Sequence, residues 1–230
     1  MEIMGLHLPG ASFVNPGTPL REALTREAAR RALSLTSEGN DYTPIGHIVS
    51  EKTIVNGLVG LHATGGSTNH TLHLVAMAAA AGVHVTWQDM ADLSEVVPLL
   101  ARVYPNGIAD VNHFHSAGGM GFLIRELLEG GYLHNDVKTV WGGGLSRYAV
   151  EAKFIEDALV FEPSPKESGN PKVLATASAP FSPTGGLKLL TGNLGKSVIK
   201  VSAVKPEHRV VEAPVRVFHS QQGLQAAFKA

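Results

Sequence analysis

The chemically richest run is Gly65-Gly66-Ser67-Thr68-Asn69-His70. Two glycines permit positive φ and close backbone approach. Ser67 and Thr68 can cap a following helix. Its first N–H groups and positive dipole end would then face outward, a seat for a phosphate or carboxylate. The same run also reads as an ordinary turn between two helices, and spacing leaves both open. It is not a nucleotide P-loop, because no Gly-Lys-Ser/Thr follows. Ser116-Ala117-Gly118-Gly119 repeats the small-residue, helix-start pattern, either as a second wall of an anionic pocket or as a tight packing site. Arg147, in Gly144-Leu145-Ser146-Arg147-Tyr148, offers a fork of donors to an anion, or is a solvated surface arginine. Gly192-Asn193-Leu194-Gly195-Lys196 reads as a tight hairpin turn rather than a ligand loop.

There are 11 histidines. His70 and His73 share a helix face at i, i+3, and His113 and His115 flank Phe114. Both spacings can chelate a metal, but neither has a carboxylate at metalloprotease spacing and His-Glu-x-x-His is absent. Polar packing and substrate hydrogen bonding are the stronger readings. A histidine–metal hydrolase is kept as a competing class. No Gly-x-Ser-x-Gly elbow or Gly-x-Gly-x-x-Gly fingerprint anchors a serine hydrolase or a dinucleotide site.

These residues need elements to hold them. Residues 9–19 are loop; Thr18 can cap and Pro19 can open a helix running to about residue 35. Pro44–Val49 starts another. Val55, Leu58, Val59 and His62 lie at i, i+3, i+4, i+7, so 52–62 reads as helix despite Asn56-Gly57. Residues 69–81 resume the helical pattern. Val83–Trp87 has strand composition. Asp89–Leu100 reads as helical, with Ser94 a possible cap. Tyr104-Pro105-Asn106-Gly107 is a turn. A helix follows over 120–129, and 162–171 is turn-rich. Beyond it Val173-Leu174, Leu187–Leu190, Val198–Val201 and Val210–Phe218 read as strands, the last an edge strand around Pro214.

The chain has 230 residues, 44% hydrophobic and 17% charged, with a net charge of -1. That is enough apolar content for a core and too little basic charge for nucleic-acid binding. There is no cysteine, which excludes a disulfide scaffold, a thiol nucleophile and an iron–sulfur cluster held by this chain alone. No leader and no apolar run of about 18 residues is visible, so a soluble cytoplasmic protein with no membrane partner is expected. The apolar pattern at 1–6 lacks a start signal. The helical spacing of Leu224, Ala227 and Phe228 lacks a stop signal. Together they predict a piece of a longer chain.

Several segments occur together and in this order. They are Met4-Gly5-Leu6 with Leu8-Pro9-Gly10, Ala63-Thr64-Gly65-Gly66-Ser67-Thr68-Asn69, His115-Ser116-Ala117-Gly118-Gly119 with Arg125-Glu126-Leu127-Leu128, and Gly192-Asn193-Leu194 with Val198-Ile199-Lys200-Val201-Ser202. Over essentially its whole length the chain resembles the dihydroxy-acid dehydratase and 6-phosphogluconate dehydratase family. Tyr104-Pro105-Asn106-Gly107, Asn112-His113-Phe114, Gly144–Tyr148 and Asn193–Lys196 look like the 6-phosphogluconate branch. In the dihydroxy-acid branch an acidic-leucine pair usually precedes the histidine, where His113-Phe114 precede His115 here.

The resemblance implies an α/β fold. A mainly helical α/β portion over 1–160, a linker over 161–171 and the start of a swivelling β-barrel domain over 172–230 are expected. It implies a hydro-lyase converting 6-phospho-D-gluconate to 2-dehydro-3-deoxy-6-phospho-D-gluconate in the Entner–Doudoroff pathway. A 4Fe-4S cluster, possibly Mg²⁺ and a homodimer belong to that expectation. The family's cluster cysteines, metal segment and base have no counterpart in this chain, so no catalytic or metal residue is carried over, and the chain alone is expected to be inactive. Ser67, Thr68, Asn69, His113, His115 and Arg147 are the candidate contacts to a small phosphorylated sugar acid. A dihydroxy-acid dehydratase and a non-catalytic sugar-acid or phosphate-binding module are the alternatives.

Overall fold

The computed structural model describes residues 1–229. Its helices form where local chemistry starts and stops them. Thr18 Oγ1 accepts from the Arg21 amide at 3.2 Å and Pro19 takes the first position of α1, Pro19–Ser34. The short α2, Ile45–Ile48, leads into α3, Glu51–Ala63, capped by Ser50. Asn56-Gly57 does not break α3. Asn56 is fully buried, donating to the His134 carbonyl at 2.9 Å and accepting from the His134 amide at 2.8 Å. A Cβ on Gly57 would stand 3.0 Å from Met4 Sδ, and one on Gly60 3.0 Å from Ile3. The small residues thus let the turn Glu2–Met4 lie directly against the helix.

After the 64–68 loop comes α4, Asn69–Ala80. The strand expected at 83–87 is absent. Thr86 and Asp89 instead form a reciprocal cap that opens α5, Trp87–Val96. A capping box satisfies two orphan amides locally, whereas a strand at Val83 and Val85 has no neighbour to pair with among the described residues. Ser94, expected as a cap, lies inside α5, and its buried hydroxyl donates to the Leu187 carbonyl. Two further helices follow, α6, Val111–Ser116, and α7, Gly119–Glu129. Phe122, Leu123, Ile124 and Leu127 of α7 are wholly buried and form the centre of the main core.

Apart from isolated bridges, the β structure of the described residues is three separate two-stranded antiparallel hairpins. The first is β1, Lys138–Thr139, with β2, Gly142–Gly143. The second is β3, Val150–Ile155, with β4, Ala158–Pro163, and it falls where mainly helical structure is expected. Its turn residues, Glu156 and Asp157, take positive φ of 49° and 62°. Without an Asn-Gly signal this turn is hard to see in sequence. The third is β5, Lys188–Gly192, with β6, Gly195–Ile199, turning at Asn193-Leu194 as expected. The fold is therefore mixed helix and small sheet, and no closed barrel is seen among the described residues.

Val173-Leu174 is not a strand. Leu174 makes a single bridge to Ala101, and the chain continues extended along residues 99–102. Arg102 N donates to Val173 O at 2.8 Å, Ala175 N to Leu100 O at 2.8 Å and Leu99 N to Ser182 O at 2.9 Å. Val210–Phe218 has no strand either and is exposed except at Phe218. Its alternating valines have no sheet edge among the described residues, and Pro214 has no amide to donate. A last helix, α8, runs Gln221–Lys229.

Candidate functional site

A cleft of about 1010 Å³ lies between the Glu2–Met4 turn, the end of α3, the 64–68 loop and one face of α4. The 103–105 turn and Lys200, just beyond β6, close its other side. The loop is shaped by Gly65, which has φ +55°. A Cβ there would stand 2.3 Å from Asn106 Nδ2. Asn106 holds the loop by donating to Gly65 O at 2.9 Å and to Thr64 O at 3.3 Å. Its Oδ1 accepts from Ser202 Oγ at 2.8 Å. Ser202 in turn donates from its amide to Gly186 O at 3.2 Å. One asparagine side chain thus joins the loop to the segment after residue 185.

Ser67 and Thr68 line this cleft and are exposed. Ser67 Oγ accepts from the Asn69 amide at 3.2 Å, while Thr68 makes no side-chain cap although it precedes α4. Asn69 is exposed and lies outside the lining. His115 is half-buried and lines a small adjoining recess that shares Glu2, Ser12, Phe13 and Met120 with the cleft. His113 is elsewhere. Its Nδ1 lies 2.8 Å from Asp110 Oδ1, and Asp110 accepts from the amides of Asn112 and His113 at 2.9 and 3.0 Å, so the pair caps α6. Those bonds hold the Asp110 carboxyl below its ordinary range. Arg147 is exposed on the turn Leu145–Tyr148, beside Gly142 and outside the cleft. The structure brings Ser67 and Thr68 together, sets His115 next door and leaves Asn69, His113 and Arg147 apart.

The electrostatics of the cleft come from His70 and from two residues that spacing did not single out, Glu2 and Lys200. Glu2 is buried, and burial raises its pKa ahead of its hydrogen bonds. It accepts from Gly10 N at 2.7 Å, Ser12 N at 3.0 Å and Ser12 Oγ at 2.5 Å, so it pins the 9–12 loop. His70 is held below its ordinary pKa by burial first and then by neighbouring positive charge, including Lys200. Lys200 is half-buried, and burial alone lowers its pKa. In sequence Lys200 is a cation interrupting the apolar run Val198–Val201 and Asn106 a turn residue; both lie in segments that carry the family resemblance, which gives neither a role.

Among the described residues no group of three or more His, Cys, Asp or Glu could hold a metal ion. His70 and His73 both face the cleft but have no third donor there. The chain has no thiol. Its residues therefore do not fit an iron–sulfur cluster, which requires thiolate ligands. No helix of the described residues is long and apolar enough to cross a membrane.

The family model described as dihydroxy-acid/6-phosphogluconate dehydratase N-terminal matches residues 1–148, and its C-terminal counterpart matches residues 172–230. The chain is 67% identical to a phosphogluconate dehydratase of Rhizobium meliloti and 64% identical to one of Pseudomonas aeruginosa, covering 100% of this chain and 38% of each relative. It is 34% identical to a dihydroxy-acid dehydratase of Caldanaerobacter subterraneus, over 96% of this chain and 37% of that protein. The chain thus spans well under half the length of the curated relatives it matches.

Proposed function

The chain belongs to the dihydroxy-acid/6-phosphogluconate dehydratase family, and on that premise we propose that it forms part of the substrate site of a phosphogluconate dehydratase. The reaction removes water from 6-phospho-D-gluconate to give 2-dehydro-3-deoxy-6-phospho-D-gluconate. The observation that carries this reading is the 67% identity to a phosphogluconate dehydratase, against 34% to a dihydroxy-acid dehydratase. The cleft supports it. It is large enough for a small sugar acid, its exposed hydroxyls at Ser67 and Thr68 can hydrogen-bond an oxyanion or a sugar hydroxyl, and its one lysine is positive.

Loss of hydroxide and removal of a proton beside a carboxylate need a Lewis acid and a base. This chain offers neither a thiolate set nor a metal cluster among its described residues. We therefore assign no chemical step to it. Its part is to bind and orient: the 64–68 loop presents Ser67 and Thr68, and Asn106 keeps that loop in one conformation. The iron–sulfur cluster, any Mg²⁺ and the base lie with residues beyond these 230. In the same reading β5 and β6 are the first hairpin of a β-barrel domain. The assembly is a homodimer and its setting the cytoplasm.

The test replaces the matching segment of the Rhizobium meliloti relative with this chain and assays the purified chimera. Formation of the 2-keto-3-deoxy product from 6-phosphogluconate is expected. A folded chimera that dehydrates a 2,3-dihydroxy acid instead, or neither substrate, refutes the reading.

A further inference from the structure

Among the described residues lining the cleft, Lys200 is the only lysine or arginine. The only carboxylate there is Glu2, whose oxygens are taken up by Gly10 and Ser12. Among the described residues Lys200 makes no ion pair, and none of their charges offsets its burial. An ammonium group gives up hydration at a cost unless an opposite charge replaces the water. His70 and His73 cannot supply that charge, since an imidazole is neutral or positive. Lys200 therefore presents an ammonium group to the cleft that an anionic group of a bound molecule would offset.

Its position is also fixed. Lys200 stands between the end of β6 and the short turn Val201–Ala203. Two residues on, Ser202 bonds Asn106 at 2.8 Å, and Asn106 bonds the 64–65 carbonyls. Gly186 closes the seam from below, since a Cβ there would stand 2.6 Å from Gly65 Cα and 2.7 Å from Ser202 Oγ. The segment bearing Lys200 and the loop bearing Ser67 and Thr68 are therefore held in one arrangement.

We propose that Lys200 binds an oxyanion of the substrate in this cleft, and that the Ser202–Asn106 bond is the positioning contact that holds it over the 64–68 loop. This rests on the dehydratase reading and names the residue that would recognise the substrate's charge. The phosphate and the carboxylate of 6-phosphogluconate share that chemistry.

The test uses the chimera described above. Lys200→Met is expected to raise KM at least tenfold, equal to about 1.4 kcal/mol of binding, with kcat within threefold. Lys200→Arg should restore KM to within threefold. Ser202→Ala should raise KM in the same direction, with Ser202→Thr recovering it. Unphosphorylated gluconate separates the two sources. If Lys200→Met affects only the phosphorylated acid, the phosphate is the partner; an equal loss on both points to the carboxylate. A KM within twofold of the unsubstituted chimera, or a fall in kcat alone, overturns the proposal. Titration calorimetry with 6-phosphogluconate reads the same affinity without turnover. A chimera that binds through Lys200 but does not react would sink the dehydratase reading and leave this one standing.

Discussion

Gly65→Ala probes the joint between the loop and the rest of the site. An alanine at φ +55° bears a backbone cost of about 1–2 kcal/mol. Its Cβ would also stand 2.3 Å from Asn106 Nδ2 and 3.1 Å from Asn106 Cγ. The amide cannot simply swing aside, because it is tied to Thr64 O, Gly65 O and Ser202 Oγ. Moving it gives up three hydrogen bonds of about 0.5–1.5 kcal/mol each. The expected destabilisation is therefore about 2.5–6.5 kcal/mol, read by urea unfolding of the chain. A double-mutant cycle with Asn106→Ala isolates the second part. With the asparagine side chain gone, Gly65→Ala should cost only the backbone contribution, leaving a coupling of about 1.5–4.5 kcal/mol. Additivity to within about 0.5 kcal/mol would refute the idea that Asn106 blocks the Cβ.

Two other expectations concern the seam between the helical part and the later segment. His62 is buried, and burial, with the Lys188 charge adding to it, lowers its pKa from 6.5 to about 4. The unfolded chain then binds a proton between about pH 6.5 and 4 that the folded chain does not. Stability should be full above pH 6.5 and fall by up to about 3 kcal/mol as pH drops to 4. His62→Phe should remove that part of the slope in pH-dependent unfolding, and an unchanged slope would assign it to other groups. Arg125 bonds Ser164 O at 3.2 Å, Ser164 Oγ at 3.1 Å, the Pro165 carbonyl and Lys166 O at 3.0 Å, so it clamps the turn-rich segment onto α7. In Arg125→Met, limited proteolysis within 164–170 should accelerate several-fold while the core helices stay protected; equal cleavage rates would count against the clamp.

What the sequence by itself determined was local. Thr18-Pro19 opens α1, Val55 through His62 lie on one helix, and Asn193-Leu194 turns a hairpin, because caps, periodicity and turn residues act within a few positions. Family membership was legible for the same reason, as ordered short motifs. Strands were legible where a short turn joins them, as at Leu187–Leu190 and Val198–Val201, and misread elsewhere, since a strand exists only if another edge lies beside it. Val83–Trp87 and Val210–Phe218 have the composition and no partner among the described residues, whereas 150–163 pairs through a turn with no sequence signal. The site divided along the same line. Ser67 and Thr68 announce themselves by spacing, and His113 only resembles a ligand because its role as a cap depends on Asp110. Asn106 and Lys200 owe their importance to contacts across 40 to 130 residues, which tertiary packing alone creates. A cation without a carboxylate, and an asparagine that touches three segments at once, are properties of the folded chain.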